Sequence, residues 1–268
     1  MVPGFFMLSQ SQVKHISSLK VKKYREESGQ FIAEGHKLVM DLVNSKFTLA
    51  GIYASAGWIV ANLPLVREKN IPVFETLPRE MDRISALSTP SPVLAVVKTP
   101  VPPNSPLAEA GEGFLLALDD IRDPGNLGTI IRVADWFGMN TVLCSESCVD
   151  TYNPKVVQAT MGSIARVQVV TCNLAEVLST LTGSDIPVYG AFLDGTSVFS
   201  EHMTGNGIIL IGNESRGIST ELEPFITKRI SIPSYGNAIS GKAESLNASV
   251  ATAIICAEFR RKQLKTEN

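Results

Sequence analysis

The chain has 268 residues, of which 44% are hydrophobic and 19% charged, so it is long and apolar enough to bury a sizeable core. No apolar run approaches the ~18 residues that a membrane helix needs, and Met1–Leu8 lacks the basic start of an export signal, which predicts an unexported, cytoplasmic protein. The net charge of −2 excludes a protein held on nucleic acid by bulk charge alone, so any basic surface has to be local.

The first distinctive segment is a basic stretch at residues 14–25, which contains no acidic residue. Its cationic side chains are Lys14, Lys20, Lys22, Lys23 and Arg25, with Tyr24 between the last two. This pattern is typical of a solvated helix face and equally of a surface that contacts RNA. The segment alone does not decide between the two interpretations.

Short apolar clusters follow, separated by a helical stretch at 36–44. They predict strands at 31–33, 49–54, 71–74 and 93–97. These elements indicate a small α/β domain over residues 1–98. Residues 99–112 are rich in proline and poor in bulky apolar groups, which indicates an extended connector to a second domain at 113–268.

The second domain has a more regular pattern of short β-type runs separated by segments of helical length. The predicted strands are Phe114–Leu118, Thr141–Cys144, Val167–Val170, Val188–Phe192, Gly207–Ile211 and Arg229–Ile232. Alternation of this kind predicts a mostly parallel sheet covered on both faces. Because ligands of such sheets bind beyond the carboxyl ends of the strands, the loops there are the place to look for chemistry.

The four cysteines, Cys144, Cys148, Cys172 and Cys256, are too few and too scattered to indicate a disulfide framework, and we expect reduced thiols. None of the three histidines lies near Cys144 and Cys148, so the ligand spacing of a tetrahedral metal site is missing. We therefore predict no metal.

The first of three informative loops is 119–138, a strand end and a Pro-Gly turn that lead into a helix. The side chains of Leu127, Ile130, Ile131 and Ala134 repeat at helical spacing and predict the buried face. Arg132 lies off this stripe. It has two interpretations, a surface residue paired with Asp135 or a functional group, and Asn126 is either a helix N-cap or a functional residue.

The second loop, 208–218, follows a fully apolar strand and places Glu214 between glycines. The third, 230–257, is a long polar loop that ends in a helix. We predict that this helix packs through Leu246, Val250, Ala253, Ile254 and Ala257. Ser245, at its first turn, is the expected cap, and such a helix end can also bind a ligand.

Together the three loops resemble the three motifs of the SpoU/TrmH methyltransferases of the SPOUT superfamily. The matching residues are Asn126-x-Gly128-x-x-x-Arg132, Ile211-Gly212-Asn213-Glu214-x-x-Gly217, and Ile232-Pro233 followed by Ser245-Leu246-Asn247-x-Ser249-Val250-Ala251. The resemblance covers residues 113–262. It implies an α/β domain with a deep trefoil knot, an exception to the rule against threaded chains, and a homodimer with the active site near the interface.

The resemblance also implies methylation of a ribose 2′-hydroxyl in RNA with S-adenosylmethionine as cofactor. The implied catalytic residues are Arg132, Asn126, Glu214, Ser245 and Asn247. The implied cofactor-binding residues are Phe192, Leu193, Gly195, Ile211, Gly212, Asn213, Gly217, Ile232, Leu246 and Asn247. We expect Arg132 to grip the phosphate next to the target ribose, and the other polar residues to hold the arginine, the ribose and the cofactor loops in register.

Phe31-x-x-Glu34-Gly35-x-x-Leu38-Val39 resembles the small substrate-binding domain that many members of this family carry at the N-terminus. This likeness favours RNA contact for the basic segment. The predicted RNA-binding residues are Lys14, Lys20, Lys22, Lys23, Arg25 and Arg132. The two-domain layout favours ribosomal RNA over transfer RNA.

One feature departs from the family pattern. The stretch 234–244 between the two halves of the third motif is longer than expected, so residues 235–242 receive no role. Two other functions stay open: a non-catalytic RNA-binding or ribosome-assembly factor that keeps the knotted fold, and an enzyme of another class. The second would predict a phosphate loop or a nucleophile elbow, and the sequence contains neither motif.

Overall fold

A computed structural model describes residues 6–101, 107, 113–202, 205–235 and 244–266. Packing divides the chain into two compact units, Met1–Val101 with Asp150–Arg166, and Pro102–Val149 with Val167–Asn268. The segment 150–166 thus packs with the first unit although it lies between two strands of the second, which position along the chain could not predict. Most of the predicted connector at 99–112 lies outside the described residues.

The helices and strands, in chain order, are β1 (Phe6–Met7), α1 (Gln10–Ser18), α2 (Lys22–Ser28), β2 (Gln30–Glu34), α3 (His36–Val43), β3 (Leu49–Ala54), α4 (Ala56–Glu68), β4 (Val73–Glu75), α5 (Pro78–Ile84), β5 (Val93–Lys98), β6 (Phe114–Leu118), α6 (Pro124–Trp136), β7 (Thr141–Cys144), α7 (Pro154–Ala159), β8 (Gln168–Thr171), α8 (Leu174–Ser179), β9 (Val188–Ser197), β10 (Gly207–Ile211), β11 (Lys228–Ser231) and α9 (Ala248–Thr266). Each predicted strand coincides with an observed one to within a few residues. The exception is β9, which continues five residues past its predicted end.

The first unit is built on a sheet of order β1-β4-β3-β5-β2, in which β5 runs antiparallel to both of its neighbours. Successive residues of β2 point to opposite faces, so Phe31 and Ala33 enter one hydrophobic core while Ile32 enters another. The first core also receives Val157 and Ile164 from the segment 150–166. Burial on both faces explains why β2 and β5 are apolar almost throughout.

The second unit is built on a six-stranded sheet of order β11-β9-β10-β6-β7-β8, in which every pair is parallel. Leu115 and Ala117 of β6 face a core that contains Leu174 and Leu178 of α8. Phe114, one position earlier, makes an edge-on ring contact with Phe259 of α9, 4.5 Å between centroids. The predicted parallel α/β sheet with helices on both faces is confirmed, and the knot stays an implication of the resemblance.

Helix α6 buries the stripe that its sequence predicts, since Leu127, Ile130, Ile131 and Ala134 are all fully buried. The prediction for α9 was wrong. Of the predicted stripe, Leu246, Val250 and Ala257 are exposed in the single chain, and Ala253 and Ile254 are only half-buried. The buried positions on this helix are Ala248, Ser249, Thr252, Ile255, Cys256, Glu258 and Phe259.

Candidate active site

A cavity of about 840 Å³ opens beyond the carboxyl ends of β9, β10 and β11. Its walls are residues 191–194, 211–217, 230–235 and 244–246, together with Ala248, Ala251 and Ile255 of α9. This is the place where a parallel sheet is expected to bind a ligand. The volume lies in the ~300–1,000 Å³ range of small-molecule and cofactor sites.

The turn after β10 is fixed by close backbone packing. Asn213 and Gly217 exchange two backbone hydrogen bonds of 2.9 and 3.0 Å, and Gly217 has a left-handed φ of 72°. A Cβ at Gly212 would meet the carbonyl carbon of Gly217 at 2.3 Å, so only glycine fits. These glycines therefore let the turn fold tightly on itself, and the loop reaches the cavity as a rigid wall.

Three polar side chains, one from each motif, form a continuous chain of hydrogen bonds. The Asn126 amide nitrogen donates to Oε1 of Glu214, and the Asn247 amide nitrogen donates to Oδ1 of Asn126 over 2.8 Å. Glu214 lines the cavity. Tertiary folding thus brings together residues from α6, the turn after β10 and the start of α9.

The start of α9 determines the direction of these hydrogen bonds. Oδ1 of Asn247 accepts from the backbone N–H groups of Ser249 and Val250 at 3.0 and 3.4 Å. Because this oxygen caps the helix, the amide nitrogen of Asn247 is left to donate to Asn126, whose own nitrogen must then face the carboxylate. Asn247, rather than the expected Ser245, is the cap, and Ser245 instead lines the cavity.

Arg132 lies on α6, about two turns after Asn126, with an exposed side chain. Within the described residues its guanidinium has no hydrogen-bond or ion-pair partner, so the alternative of a pair with Asp135 is not seen. The N-cap of α6 is Asp123, which accepts from the backbone N–H of Asn126 at 2.8 Å. The capping interpretation of Asn126 was therefore wrong, and its side chain is free for the contacts described above.

Most residues predicted to bind the cofactor line the cavity: Phe192, Leu193, Ile211, Gly212, Asn213, Gly217, Ile232 and Leu246. Gly195 and Asn247 are not among the described lining residues. At Gly195 a Cβ would meet the backbone of Ile230 at 2.7 Å, so this glycine permits β9 and β11 to approach each other where their register shifts. Of the long stretch at 234–244, Ser234, Tyr235 and Glu244 line the cavity, and the rest lies outside the described residues.

An ionic cluster that no sequence pattern predicted lies at the rim of the cavity. Arg229 stacks on the ring of Phe192, 3.5 Å from its centroid, and donates to Asp194 and Glu223 at 3.0 and 3.2 Å. The hydrogen bond and positive charge of Arg229 hold the pKa of Asp194 below its ordinary value. A cationic residue three positions before Ile232 was the available signal, but only folding shows which ring it covers.

A second group that the sequence analysis missed is the acidic pair at the end of β6. The buried carboxylate of Asp119 accepts hydrogen bonds from the backbone N–H of Ser219, at 2.7 Å, and from its hydroxyl. Asp120 has a left-handed φ of 56° and bonds to Arg122. The first carboxylate ties β6 to the segment after the cavity turn, and so helps to hold that turn in place.

The predicted RNA-binding residues of the first unit do not share one environment. Lys14, Lys22 and Lys23 are exposed, and the Nζ of Lys20 donates to the carbonyl of Arg83 at 3.0 Å. Arg25 is buried and binds Asp150 at 2.5 and 2.9 Å. Its guanidinium is committed to this pair, so we withdraw Arg25 from the RNA-binding set.

Among the described residues, no cluster of three or more His, Cys, Asp or Glu side chains could hold a metal ion. The same part of the chain contains no helix whose length and apolarity would let it cross a membrane. All four cysteines are free, two of them buried.

The parallel sheet, the cavity at its carboxyl edge and the three joined motifs are those of a SPOUT-type methyltransferase. Residues 113–257 match the SpoU rRNA methylase family, and residues 10–95 match the MRM3-like substrate-binding domain. The chain belongs to the SpoU rRNA methylase family. The resemblance inferred from the motifs and from the N-terminal segment is thereby confirmed.

Several relatives match nearly the whole chain. The 23S rRNA (guanosine(2553)-2′-O)-methyltransferase RlmP of Bacillus subtilis is 30% identical over 93% of this chain and 96% of its own length. A TrmH-family structure from Porphyromonas gingivalis is 38% identical, covering 96% of this chain and 99% of that one, with a TM-score of 0.82. An AdoMet-bound rRNA methyltransferase from Sinorhizobium meliloti is 28% identical, covering 96% and 97%, with a TM-score of 0.83.

Proposed function

We propose that this protein transfers a methyl group from S-adenosylmethionine to a ribose 2′-hydroxyl of ribosomal RNA. The observation that carries the proposal is the hydrogen-bonded chain Asn247–Asn126–Glu214 beside the cavity. Hydrogen bonds between polar side chains that are distant in the sequence are expected where the residues of an active site must keep fixed relative positions. Family membership supports the reaction type, and fold alone would not.

The cavity suits S-adenosylmethionine in size and lining. Phe192, Ile211, Ile232 and Leu246 supply apolar surface for an adenine ring, and the backbone groups of the turn after β10 supply donors and acceptors. When bound, the cofactor supplies an electrophilic methyl group on a sulfonium. The relative from Sinorhizobium meliloti, described with AdoMet bound, supports the same ligand here.

The chain's own residues then have to place and activate the RNA. We assign to Arg132 the binding of the phosphate next to the target ribose, because its planar, permanently charged guanidinium suits phosphate and it has no partner among the described residues. Positioning the ribose in this way converts a bimolecular attack into a pre-oriented one. The hydrogen bonds of Asn126 with Glu214 and Asn247 fix the start of α6, the helix that carries Arg132.

Ribosomal RNA is our preferred substrate class. RlmP and the Sinorhizobium meliloti relative are both named for rRNA, and the match to a substrate-binding domain in the first unit supports RNA as the partner. Exposed Lys14, Lys22 and Lys23 are candidates for phosphate contacts there. In a bacterium such a substrate places the reaction in the cytoplasm.

We further propose that the protein acts as a homodimer that covers the exposed faces of α6 and α9. These helices pack against each other and leave large apolar side chains uncovered in the single chain: Trp136 is 82% exposed and Val250 47%. Trp136 lies at the end of α6 and Val250 near the start of α9, and an interface along both helices would cover the two side chains. Light scattering after gel filtration should give twice the mass of the chain, and Val250→Asp should shift it toward the monomer.

The first test of the reaction is transfer of labelled methyl from S-adenosylmethionine to rRNA and tRNA purified from cells that lack the protein. Nuclease mapping should locate the label in a 2′-O-methylated nucleotide of rRNA. Label in tRNA alone would overturn the substrate class. Cofactor binding without label in any RNA, including intact ribosomal particles, would favour the non-catalytic RNA-binding factor.

A further inference from the structure

Arg216, which lines the cavity, and Arg122 pair with the same nearly buried carboxylate, that of Asp120. Oδ1 of Asp120 accepts from Nε of Arg122 at 2.7 Å, and its Oδ2 lies 3.9 Å from NH1 of Arg216. The side chain of Asp120 is only 11% exposed, whereas those of Arg122 and Arg216 are 59% and 72% exposed. Both guanidinium groups therefore pair with the carboxylate of Asp120, the anchor of this cluster, and extend into solvent.

Two hydrogen bonds fix the backbone of Asp120, and a third joins one of its partners to Arg216. The backbone N–H of Asp120 donates to Oγ of Ser145 at 3.0 Å, and its carbonyl accepts from the side-chain amide of Asn213 at 2.9 Å. The other end of that amide, Oδ1 of Asn213, accepts from the backbone N–H of Arg216 at 3.1 Å. The ends of β6, β7 and β10 thus fix the base of this cluster, and the arginines share a rigid support.

Most donors of these arginines are unused. Among the described residues, Arg122 donates to Asp120 through Nε alone. The 3.9 Å contact between Arg216 and Asp120 is an ion pair beyond hydrogen-bonding distance. Neighbouring carboxylates are engaged elsewhere: Asp123 caps α6 and Glu214 accepts from Asn126. The remaining donors of these two guanidinium groups, which the shared carboxylate orients, suit the oxygens of a phosphate.

We propose that Arg122 and Arg216 form a phosphate clamp that binds the RNA backbone at the mouth of the cavity, separately from Arg132. The inference deepens the proposed function, since it names further substrate contacts of the same site. Arg216 lines the cavity wall, and Arg122, which pairs with the same carboxylate, immediately precedes the N-cap of α6, so a phosphate bound at this point is within reach of both side chains. The carboxylate of the cofactor is the competing anion, and the test separates the two.

The test is filter binding of a labelled single-stranded oligoribonucleotide by the full chain, without cofactor, over a range of salt concentrations. R122A/R216A should weaken binding, and the slope of log K against log salt should fall in magnitude by about 1.4, because each lost phosphate contact removes about 0.7 on single strands. R122K/R216K should keep the slope and bind more weakly than wild type, since lysine retains charge but not the fork. R67A/K69A, which removes one exposed charge near the end of α4 and another directly after it, is the control for net charge.

Binding of S-adenosylhomocysteine is measured in parallel by calorimetry. Equal RNA binding by wild type and R122A/R216A would overturn the clamp, as would a loss no larger than that of R67A/K69A. Weakened cofactor binding with normal RNA binding would assign the arginines to the cofactor carboxylate and also overturn it. Because RNA binding is measured without methyl transfer, an inactive wild type would refute the proposed function and leave this result readable.

Discussion

The side-chain amide of Asn247 donates to Oδ1 of Asn126 over 2.8 Å, although the two residues are 121 positions apart. The same Asn247 side chain caps α9 through its oxygen. One asparagine therefore joins the stability of a helix to the geometry of the candidate active site. A substitution that keeps its oxygen but removes its N–H donor should separate the two effects.

Asn247→Asp should keep the cap of α9 and lose the hydrogen bond to Asn126. The remaining oxygen still accepts from the N–H groups of Ser249 and Val250, and a negative charge is favourable at a helix N-terminus. Toward Asn126, however, the new carboxylate has no proton to donate. Whichever way Asn126 turns its amide, one acceptor then faces another, either here or at Glu214.

We expect methyl transfer by Asn247→Asp to fall at least tenfold, with a stability close to wild type. Asn247→Ala should lose activity and also about 1 kcal/mol of stability through the missing cap. Thermal unfolding and initial rates would be measured for both. Activity at the wild-type level in the aspartate variant would show that the link to Asn126 plays no part in the reaction.

Arg132→Ala should lower turnover by about 10²–10³-fold, the usual effect of removing one preorganised charged donor from an active site. Binding of S-adenosylhomocysteine should be nearly unchanged, because Arg132 is not among the described residues that line the cavity. Rates at saturating RNA together with calorimetry separate the two effects. A fully active variant would eliminate Arg132 as the catalytic arginine.

Gly212→Ala should damage the cavity wall. Its Cβ would meet the backbone of Gly217 at 2.3 Å, and the backbone cannot swing away as a flexible side chain would. We expect a destabilisation of about 1–3 kcal/mol, typical of overpacking, with loss of cofactor binding. Gly57→Ala, at a position in α4 where the new Cβ meets nothing within 4 Å, is the matched control and should keep or slightly raise stability, because alanine favours a helix over glycine.

Arg25→Ala should destabilise the first unit by about 3 kcal/mol, because it leaves Asp150 without the partner of a mostly buried pair. Lys22→Ala, which removes an exposed pair with Glu26, should change stability by less than about 1 kcal/mol. Buried Trp58 reports unfolding of this unit by fluorescence if Trp136 is replaced by Phe. Equal midpoints for the two variants would contradict the structural role of Arg25.

Cys148 should be the cysteine that alkylates first. The hydrogen bond with Cys144 is the main cause that lowers the pKa of Cys148 to about 7, whereas burial raises the pKa of Cys172 to about 11. Since the thiolate is the reactive form, the iodoacetamide rate at Cys148 should rise with pH and reach half its maximum near pH 7. Peptide mass mapping would follow it, and faster labelling of Cys172 at neutral pH would refute the assignment.

The sequence predicted the local elements of the candidate site well, because strand and helix patterns depend on neighbouring residues. The apolar stripe of α6 was confirmed at all four positions. The face of α9 was not, since Thr252 and Cys256 are buried while Val250 stays exposed. Periodicity identifies an apolar face, but it cannot tell whether that face meets the chain's own core or another surface.

The family, the parallel sheet and the polar residues at the strand ends could be predicted before folding was considered, because each depends on short stretches of chain. The links from Asn126 to Glu214 and Asn247, the burial of Arg25 against Asp150, and the pairing of Asp120 with two arginines emerge only when the chain is folded. These contacts join residues of different elements. Their partners are selected by burial, hydrogen-bond geometry and strand order, which no local pattern in the sequence encodes.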